Sequence, residues 1–518
     1  MKFLKLSVCV FFLVFLAVSC GTKPAENPPV SEEKEKSGNV AVEEKEKSPQ
    51  TDVKAVTEEK AKSTKEPVKK TEENVKAESE AESEAVFTPV QFASDLQNVL
   101  QKGQVQEALN QFEAVPEEYK NDFSLNMLQA SLLVSSGDVD KAQEVAQKLS
   151  EEQPENVELL YLNAMIEKRK GNVRAKQAIL QKIVQLDPNN SDALLEMAND
   201  QMMRGKTNYK NAQKLYERSA KSDENQIDAW LGYGQTSYYL REDSKAEEAF
   251  TKVLEKDPTY SLAHSYIGKL WAEKENYLKA QESIEKAIQL DPDYFDYWID
   301  YGLYLRFRGK KAEAINAWSK AVELKGDYFL SYAYRASLYD ELEEYEKSLE
   351  DYKTIVKLNP KYYYAYENMG MLYFKKGLWQ ASILCFEKAL EYNPESFSYK
   401  MMIAANYVRT NEKVKSRKFF ETNLRLLDKA GVEYAVMRMY MDLITSGVEQ
   451  KIRKEESVTK RGKFLFYYGL LQDLKGNDVM AKKYYTEVHG LQAPMFFEYQ
   501  INDWILEGKH AALCDKKE

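Results

Sequence analysis

Few side chains in this sequence have the chemistry for catalysis or metal binding. The 518 residues include only three histidines, His264, His489 and His510, and four cysteines. The sequence has no H-E-x-x-H or C-x-x-C spacing, no G-x-x-x-x-G-K-[ST] phosphate loop and no G-x-S-x-G nucleophile turn. We therefore predict no catalytic residue, no metal, no cofactor and no small-molecule substrate, and we expect His264 to have a structural role.

The strongest regularity in the chain is a repeat of 34 residues. Residues 227–260 and 261–294 both place a small residue at positions 8 and 20, an apolar residue at position 24 and proline at position 32. In the two copies these are Gly234 and Gly268, Ala246 and Ala280, Phe250 and Ile284, and Pro258 and Pro292. Residues three or four apart lie on one face of a helix, and proline cannot continue a helix. Each copy is therefore predicted to form two packed helices followed by a break.

This pattern resembles the tetratricopeptide repeat, which has W-x2-L-G-x2-Y, then A-x3-F, then P over 34 residues. Further copies occur at 295–328, 329–362 and 363–396, and looser ones fill the rest of the range from 89 to 430. The resemblance implies an all-α fold, a right-handed α-solenoid or superhelix of stacked helix pairs. It also implies a protein that is not an enzyme and that binds peptide or protein partners on the concave face lined by the first helices.

Composition and repeat spacing divide the chain into six segments. They are a signal peptide at 1–19, a linker with Cys20 at 20–86, ten repeats at 87–430, a degenerate helical pair at 431–461, a further repeat at 462–495, and a C-terminal capping helix with a tail at 496–518. Residues 21–85 contain 12 Lys, 17 Asp or Glu and no aromatic residue. Such a segment cannot bury enough apolar surface to fold, so the linker is predicted to be disordered.

The N-terminus has the pattern of an export signal. A basic start is followed by a run of 14 apolar residues, and Cys20 follows Leu16-Ala17-Val18-Ser19. The run is short of the roughly 20 residues that span a bilayer. The residues around Cys20 resemble the lipobox of bacterial lipoproteins, which implies cleavage before Cys20, acylation of Cys20 with chains such as palmitate, and stable membrane attachment. Ordinary signal-peptidase cleavage with secretion, and an uncleaved anchor, are the alternatives.

Positions 2, 5, 9 and 12 of each repeat line the concave face in the family that the sequence resembles. Several of these positions are apolar here, and the candidate partner-binding residues are Tyr238, Tyr364, Met371, Phe374, Met401 and Val408. Methionine and aromatic side chains suit an adaptable contact with a peptide or a helix. The alternative is that tight winding of the array, or the degenerate helices at 431–461, cover these side chains.

The function expected from these features is a membrane-tethered scaffold for protein–protein interactions in a bacterial cell envelope. Its partners would be other envelope proteins or peptides, with the membrane reached through the lipid on Cys20. The formal net charge of −10 argues against nucleic acid as a partner. The alternative is a surface-exposed adhesin that binds host components, for which the linker would provide reach.

Overall fold

The computed structural model describes residues 87–491 and 496–511. Within these residues there are 25 α-helices and three short 3-10 turns, and there is no strand. The all-α fold predicted from the repeat is therefore confirmed. The predicted signal peptide, Cys20 and the linker up to residue 86 lie outside the described residues, as do 492–495 and 512–518. Among the described helices, none combines the length and the apolar character needed to cross a bilayer.

The chain divides between Thr236 and Ser237 into two compact units. In the first unit most helices have 13 or 14 residues and alternate with short turns, as expected for helical hairpins. Its helices, ending with the one that includes the division, are α1 (Pro89–Leu100), α2 (Val105–Gln111), α3 (Phe123–Ser136), α4 (Val139–Glu152), α5 (Val157–Arg169), α6 (Val173–Leu186), α7 (Ser191–Met203), α8 (Tyr209–Ser222) and α9 (Ile227–Tyr239).

The second unit continues the alternation and then departs from it. Its regular helices are α10 (Asp243–Lys256), α11 (Ser261–Glu273), α12 (Tyr277–Leu290), α13 (Phe295–Phe307), α14 (Lys311–Leu324), α15 (Phe329–Glu341), α16 (Tyr345–Leu358), α17 (Tyr363–Lys375), α18 (Trp379–Tyr392), α19 (Phe397–Thr410) and α20 (Lys413–Leu424). The remaining helices are α21 (Val432–Asp442), α22 (Val448–Arg453), α23 (Val458–Leu474), α24 (Asp478–Gly490) and α25 (Phe497–Leu506).

A small residue facing an aromatic ring brings the two helices of a repeat together. In the hairpin of α13 and α14, a methyl group added to Gly302 would lie 2.2 Å from Nε1 of Trp318. The indole N–H of Trp318 donates a hydrogen bond to the carbonyl oxygen of Ile299 at 3.2 Å, and the ring is fully buried. Gly370 of α17 faces Phe386 of α18 in the same way, since a methyl group added to Gly370 would lie 2.8 Å from the Phe386 ring. The close approach of the helices therefore depends on the absence of a side chain at this position.

We expect Gly302→Ala to destabilise its hairpin by about 1–3 kcal/mol, because the added methyl group overpacks the contact with Trp318. Gly490→Ala is the matched control, because Gly490 also lies in a helix but has open space around an added methyl group. The control variant should gain up to about 1 kcal/mol from helix propensity. Urea unfolding of both variants measures the difference, and a gain in stability in both would mean that the crossing tolerates a larger residue.

The turn between the two helices of a repeat contains a residue with a left-handed backbone. In the second unit this conformation recurs every 34 residues, at Arg241, Glu275, Gly309, Glu343, Gly377 and Asn411. Glycine adopts it without strain, whereas a residue with a side chain adopts it at a cost of about 1–2 kcal/mol. The recurrence gives the 34-residue register independently of the packing residues.

His264 has a structural contact that recurs in another repeat. Its Nε2 lies 2.9 Å from the carbonyl oxygen of Pro258, in the turn that precedes α11. Trp298 is the equivalent residue of the next repeat, and its indole N–H donates to the carbonyl oxygen of Pro292 at 2.8 Å. The ring at this position therefore joins the first helix of a repeat to the turn before it.

Candidate functional site

The first helices of consecutive repeats form one side of the second unit, called here the inner side, which comprises the end of α9 (237–239), α11, α13, α15, α17 and α19. Polar side chains link these helices to one another. Lys269 Nζ lies 2.7 Å from Asp300 Oδ2 between α11 and α13. Arg306 Nη1 donates to Ser337 Oγ at 3.1 Å between α13 and α15, and Arg306 also pairs with Glu341. These links fix the spacing of the first helices and place paired charges along the inner side.

Tyrosine rings lie beside the pair formed by Lys269 and Asp300. Tyr238 meets Tyr266 edge to face at 5.6 Å between ring centroids. Burial disfavours the ammonium group of Lys269, but the charge and hydrogen bond of Asp300, together with the neighbouring Tyr304 and Tyr238, outweigh burial and raise the pKa of Lys269. Burial also raises the pKa of Tyr238, and its hydrogen bond to Glu273 raises it further. At neutral pH this part of the inner side therefore presents an ion pair next to uncharged phenols.

The structure separates the six predicted partner-binding residues into two groups. Tyr364 is 45% exposed, with its ring stacked on Tyr363 at 4.3 Å, and Tyr238 and Val408 are half-buried. Met371, Phe374 and Met401 are only 2%, 1% and 0% exposed, and they belong to one buried cluster against which Val408 packs. The structure therefore corrects the assignment of Met371, Phe374 and Met401 to an open partner-binding surface and agrees with the alternative, because other helices of the second unit cover these side chains.

The cover is formed largely by the C-terminal part of the chain. Helix α21 packs against α19, which accounts for some of the cover, and α23 and α25 supply the rest. Phe497 of α25 stacks on Phe386 at 5.9 Å and on Tyr399 at 6.0 Å between centroids. Trp504 of α25 meets Tyr345 edge to face at 5.8 Å. The helix predicted to cap the end of the array thus also packs against α17, on the inner side of the preceding repeats.

The residues after α25 hold it along α17. Lys375 Nζ lies 3.6 Å from the ring centroid of Tyr345 and 4.4 Å from that of Trp504, so that its cation is placed between two aromatic faces. The backbone N–H of Ala511 donates to the carbonyl oxygen of Lys375 at 2.8 Å. Lys509 Nζ lies 2.5 Å from Glu343 Oε1, in the turn between α15 and α16. The C-terminal segment therefore spans three consecutive repeats.

A cluster of polar groups lies where α25 crosses α17 and α19. Tyr399 OH donates to Glu367 Oε2 at 2.5 Å. Tyr467 OH lies 2.8 Å from Oε1 of the fully buried Glu498, whose Oε2 is 3.9 Å from Lys463 Nζ. Loss of water raises the pKa of Glu367 to about 7, and the charge of Glu498 adds to this rise, while Tyr399 and Lys463 oppose it. Glu367 therefore titrates near neutrality in a cluster whose charges include Glu498 of α25.

The groups that face Glu367 are Tyr399 from α19, Lys463 from α23 and Glu498 from α25. Because the pKa of Glu367 in the folded protein lies above its ordinary value of 4.5, the folded state binds the proton more tightly than the unfolded state. The stabilising contribution is complete below pH 4.5 and is lost as the pH rises through 7. We expect a loss of about 2 kcal/mol between pH 5 and pH 7.5.

Urea unfolding at several pH values measures this loss, and Glu367→Gln is the control because it removes the titrating group and keeps the size of the side chain. The variant should be less sensitive to pH than the wild type over the same range. An unchanged pH dependence in Glu367→Gln would show that another group is responsible.

Sequence reasoning did not select Glu367, Lys375 or Glu498 as members of a site. One signal was available, since Glu367 is a carboxylate at a concave position that is followed by Met371 and Phe374 on the same helix. A charged side chain on an otherwise apolar helix face indicates either a solvent-exposed edge or a specific buried partner. The sequence alone does not identify that partner, because Glu498 and Lys463 come from distant helices.

The stacked hairpins and their inner side define an α-solenoid of helical repeats. Models of the tetratricopeptide repeat match residues 267–328, 331–362 and 363–396. These matches support the assignment of the repeats to the tetratricopeptide repeat family. Proteins built from this repeat mediate protein–protein or peptide interactions and are generally not enzymes.

Several solved structures align to parts of the chain. The crystal structure of MamA is 27% identical over 31% of this chain and 95% of its own, with a TM-score of 0.30. A tetratricopeptide repeat protein from Parabacteroides merdae is 16% identical over 48% of this chain and 97% of its own, with a TM-score of 0.36. PilF from Pseudomonas aeruginosa is 18% identical over 40% of this chain and 95% of its own, with a TM-score of 0.36. Comparison with curated proteins gives no match.

Proposed function

We propose that this protein is a membrane-tethered scaffold of a bacterial cell envelope, which binds peptide or protein partners on the inner side of its repeats. The observation that carries the proposal is the stretch of inner side from Tyr238 to Glu341. Its first helices present half-buried tyrosines next to paired charges, including Lys269 with Asp300 and Arg306 with Glu341. Aromatic and arginine side chains are enriched at protein interfaces, and the paired charges give a partner's polar backbone groups donors and acceptors.

Membrane attachment is the second part of the proposal, and it depends on the sequence before residue 87. An apolar run that is too short to span a bilayer ends at Cys20, and a charged linker without aromatic residues follows it. In this proposal the lipid on Cys20 holds the chain at the membrane, and the linker lets the repeats reach other envelope proteins. A linker of 65 residues has a root-mean-square span of roughly 45 Å as a flexible coil.

A site-specific photo-cross-linker tests partner binding in intact envelopes. One variant carries the cross-linker at Leu303, a half-buried concave position of α13 within this stretch, and the matched control carries it at Asn316, which is exposed on the second helix of the same repeat. Capture of the same protein partner at 303 but not at 316 supports the inner side as the binding surface. Capture at both positions, or at neither, contradicts it.

Mass spectrometry of the mature N-terminus tests the tether separately. The expected result is an acylated Cys20 and a protein that fractionates with membranes, while Cys20→Ser leaves the membrane fraction. An unmodified Cys20 in the mature protein would contradict the lipid anchor without affecting the assignment of the inner side.

A further inference from the structure

The inner side of α17 and α19 is already occupied by a helix, and that helix belongs to the same chain. The apolar face of α25 is formed by Phe497, Ile501, Trp504 and Ile505, which follow the spacing i, i+4, i+7, i+8. Ile501, Trp504 and Ile505 are buried in the same cluster as Met371, Phe374 and Met401, and Phe497 packs against that cluster. This is the arrangement by which a groove binds an amphipathic helix.

We propose that the inner side of α17 and α19 is a helix-binding groove, that α25 is its resident ligand, and that a protein partner presenting an amphipathic helix with apolar residues at i, i+4, i+7 and i+8 takes the place of α25. The partner's helix would carry an aromatic residue at the first and third of these positions, where Phe497 and Trp504 now lie. This groove is a different stretch from the open inner side between Tyr238 and Glu341, so the inference goes beyond the proposed function and is tested without the envelope.

Buried polar groups make the contact of α25 weaker than its apolar area suggests. Glu498 Oε1 accepts a hydrogen bond from Tyr467 and Asn502 Nδ2 donates one to the carbonyl oxygen of Tyr485, whereas within the described residues Glu498 Oε2 and Asn502 Oδ1 are buried and form no hydrogen bond to the protein. Each polar atom that loses water without gaining a hydrogen bond opposes the packing of the helix. A helix that only packs the core is expected to have apolar residues at these buried positions. In a helix that must be released, polar side chains at these positions help, because they regain water when the helix leaves. The polar groups therefore favour an exchangeable helix over a permanent cap.

The anchoring of the segment after α25 is also of a kind that a partner can break. Lys509 pairs with Glu343 at the surface, where both side chains are about half-exposed, at 42% and 52%. Exposed ion pairs contribute little to stability, since water and salt screen them. Beyond this pair, the tail is held by the backbone hydrogen bond from Ala511 to Lys375. At the C-terminal end of α25, release therefore breaks only a few contacts, and the ion pair among them is weak.

A fluorescein-labelled peptide of residues 496–511 tests the groove on the purified full chain. In the wild type, the covalently attached α25 competes at an effective concentration on the order of millimolar, so the labelled peptide should bind poorly. In the double variant Ile501→Ala and Trp504→Ala the attached helix loses its two central contacts. The labelled peptide should then bind at least about ten-fold more tightly than it binds the wild type. Val479→Ala, an exposed position on α24, is the control and should behave like the wild type.

Lys509→Glu is a second variant that does not alter the core. It replaces the pair with Glu343 by a repulsion at the exposed end of the segment, and it should increase peptide binding by about two- to five-fold. Helical circular dichroism shows whether each variant keeps its fold, and Lys509→Glu decides the question if the double variant unfolds.

Three results would overturn the inference. The first is equally weak binding of the peptide to the wild type and to folded variants of both kinds. The second is hydrogen exchange in which α25 opens only together with α17 and α19, because that behaviour defines a fixed part of the core. The third is a dimer of the full chain that forms only when α25 is intact, which would assign the groove to the helix of a second copy.

Discussion

Phe374→Asp should destabilise the C-terminal part of the second unit by at least about 4 kcal/mol, which is enough to unfold it locally at room temperature. Phe374 is 1% exposed, lies edge to face with Trp379 at 5.3 Å, and belongs to the cluster that joins α17 to α25. The substitution removes a large apolar side chain and places a carboxylate in a buried apolar contact. Both effects have the same sign, which makes this one of the largest expected losses in the molecule.

Tyr364→Asp is the control for this prediction. Tyr364 is on the same helix, α17, and was also predicted to line the inner side, but it is 45% exposed. A charged residue remains hydrated there, so its cost should stay within about 0.5 kcal/mol. Hydrogen exchange measured over 363–410 and 497–506 distinguishes the variants, because only Phe374→Asp should release both segments. If both segments stay protected in Phe374→Asp, Phe374 is accessible in solution, and the sequence-based assignment of Phe374 to a partner-binding surface is correct.

The repeat register was predictable because it depends on contacts that are local in sequence. Gly302 and Trp318 are 16 residues apart, and the same pair of positions recurs every 34 residues. The left-handed turn residue was predictable only where it is glycine, as at Gly309 and Gly377. At Glu275 and Glu343 the same conformation is imposed by the packing of the hairpin against the intrinsic preference of the residue, so the local sequence carries no sign of it.

The covered part of the inner side was not predictable, because it depends on contacts between residues that are distant in sequence. The helix at 497–506 was expected from its apolar periodicity, but periodicity shows only that a helix has an apolar face. It does not show which surface that face covers. Tyr345 and Lys375 meet Trp504 of α25 through a fold-back of the chain over more than a hundred residues, and no spacing in the sequence encodes that contact. The sequence alternative that the degenerate helices cover this surface is right for α21. It did not include α23 and α25, which also cover it.

These contacts divide the inner side of the second unit into two stretches with different roles. The stretch over α11, α13 and α15 is lined by half-buried aromatic and charged groups that are paired with one another. The stretch over α17 and α19 is filled by the chain's own helix. In the proposed scaffold, the first stretch would be available to a partner at all times, and the second would become available only when α25 leaves. A partner with both an extended segment and an amphipathic helix would use the two surfaces together.

Trp318→Ala should cost about 3–5 kcal/mol, because Trp318 is fully buried and one of the largest side chains in the core. The variant loses the ring that fills the space opposite Gly302, the stack with Tyr334 at 5.5 Å, and the hydrogen bond that the indole donates to Ile299. The cavity would lie between α13, α14 and α15, so that two neighbouring repeats are affected. We expect the urea midpoint of the second unit to fall accordingly.

Trp298→Ala is the matched control, since it removes the same side chain from the same repeat. Trp298 is half-buried, and its indole N–H reaches only the carbonyl oxygen of Pro292 in the preceding turn. Its loss removes one hydrogen bond and the apolar area that the half-buried ring covers. The free energy of unfolding should therefore fall by about 1–2 kcal/mol. In a linear array each hairpin is stabilised chiefly by its neighbours, so the larger loss at Trp318 should also uncouple the repeats on either side of α14. Equal midpoints for the two variants would show that the contact of Gly302 with Trp318 does not hold the repeats together.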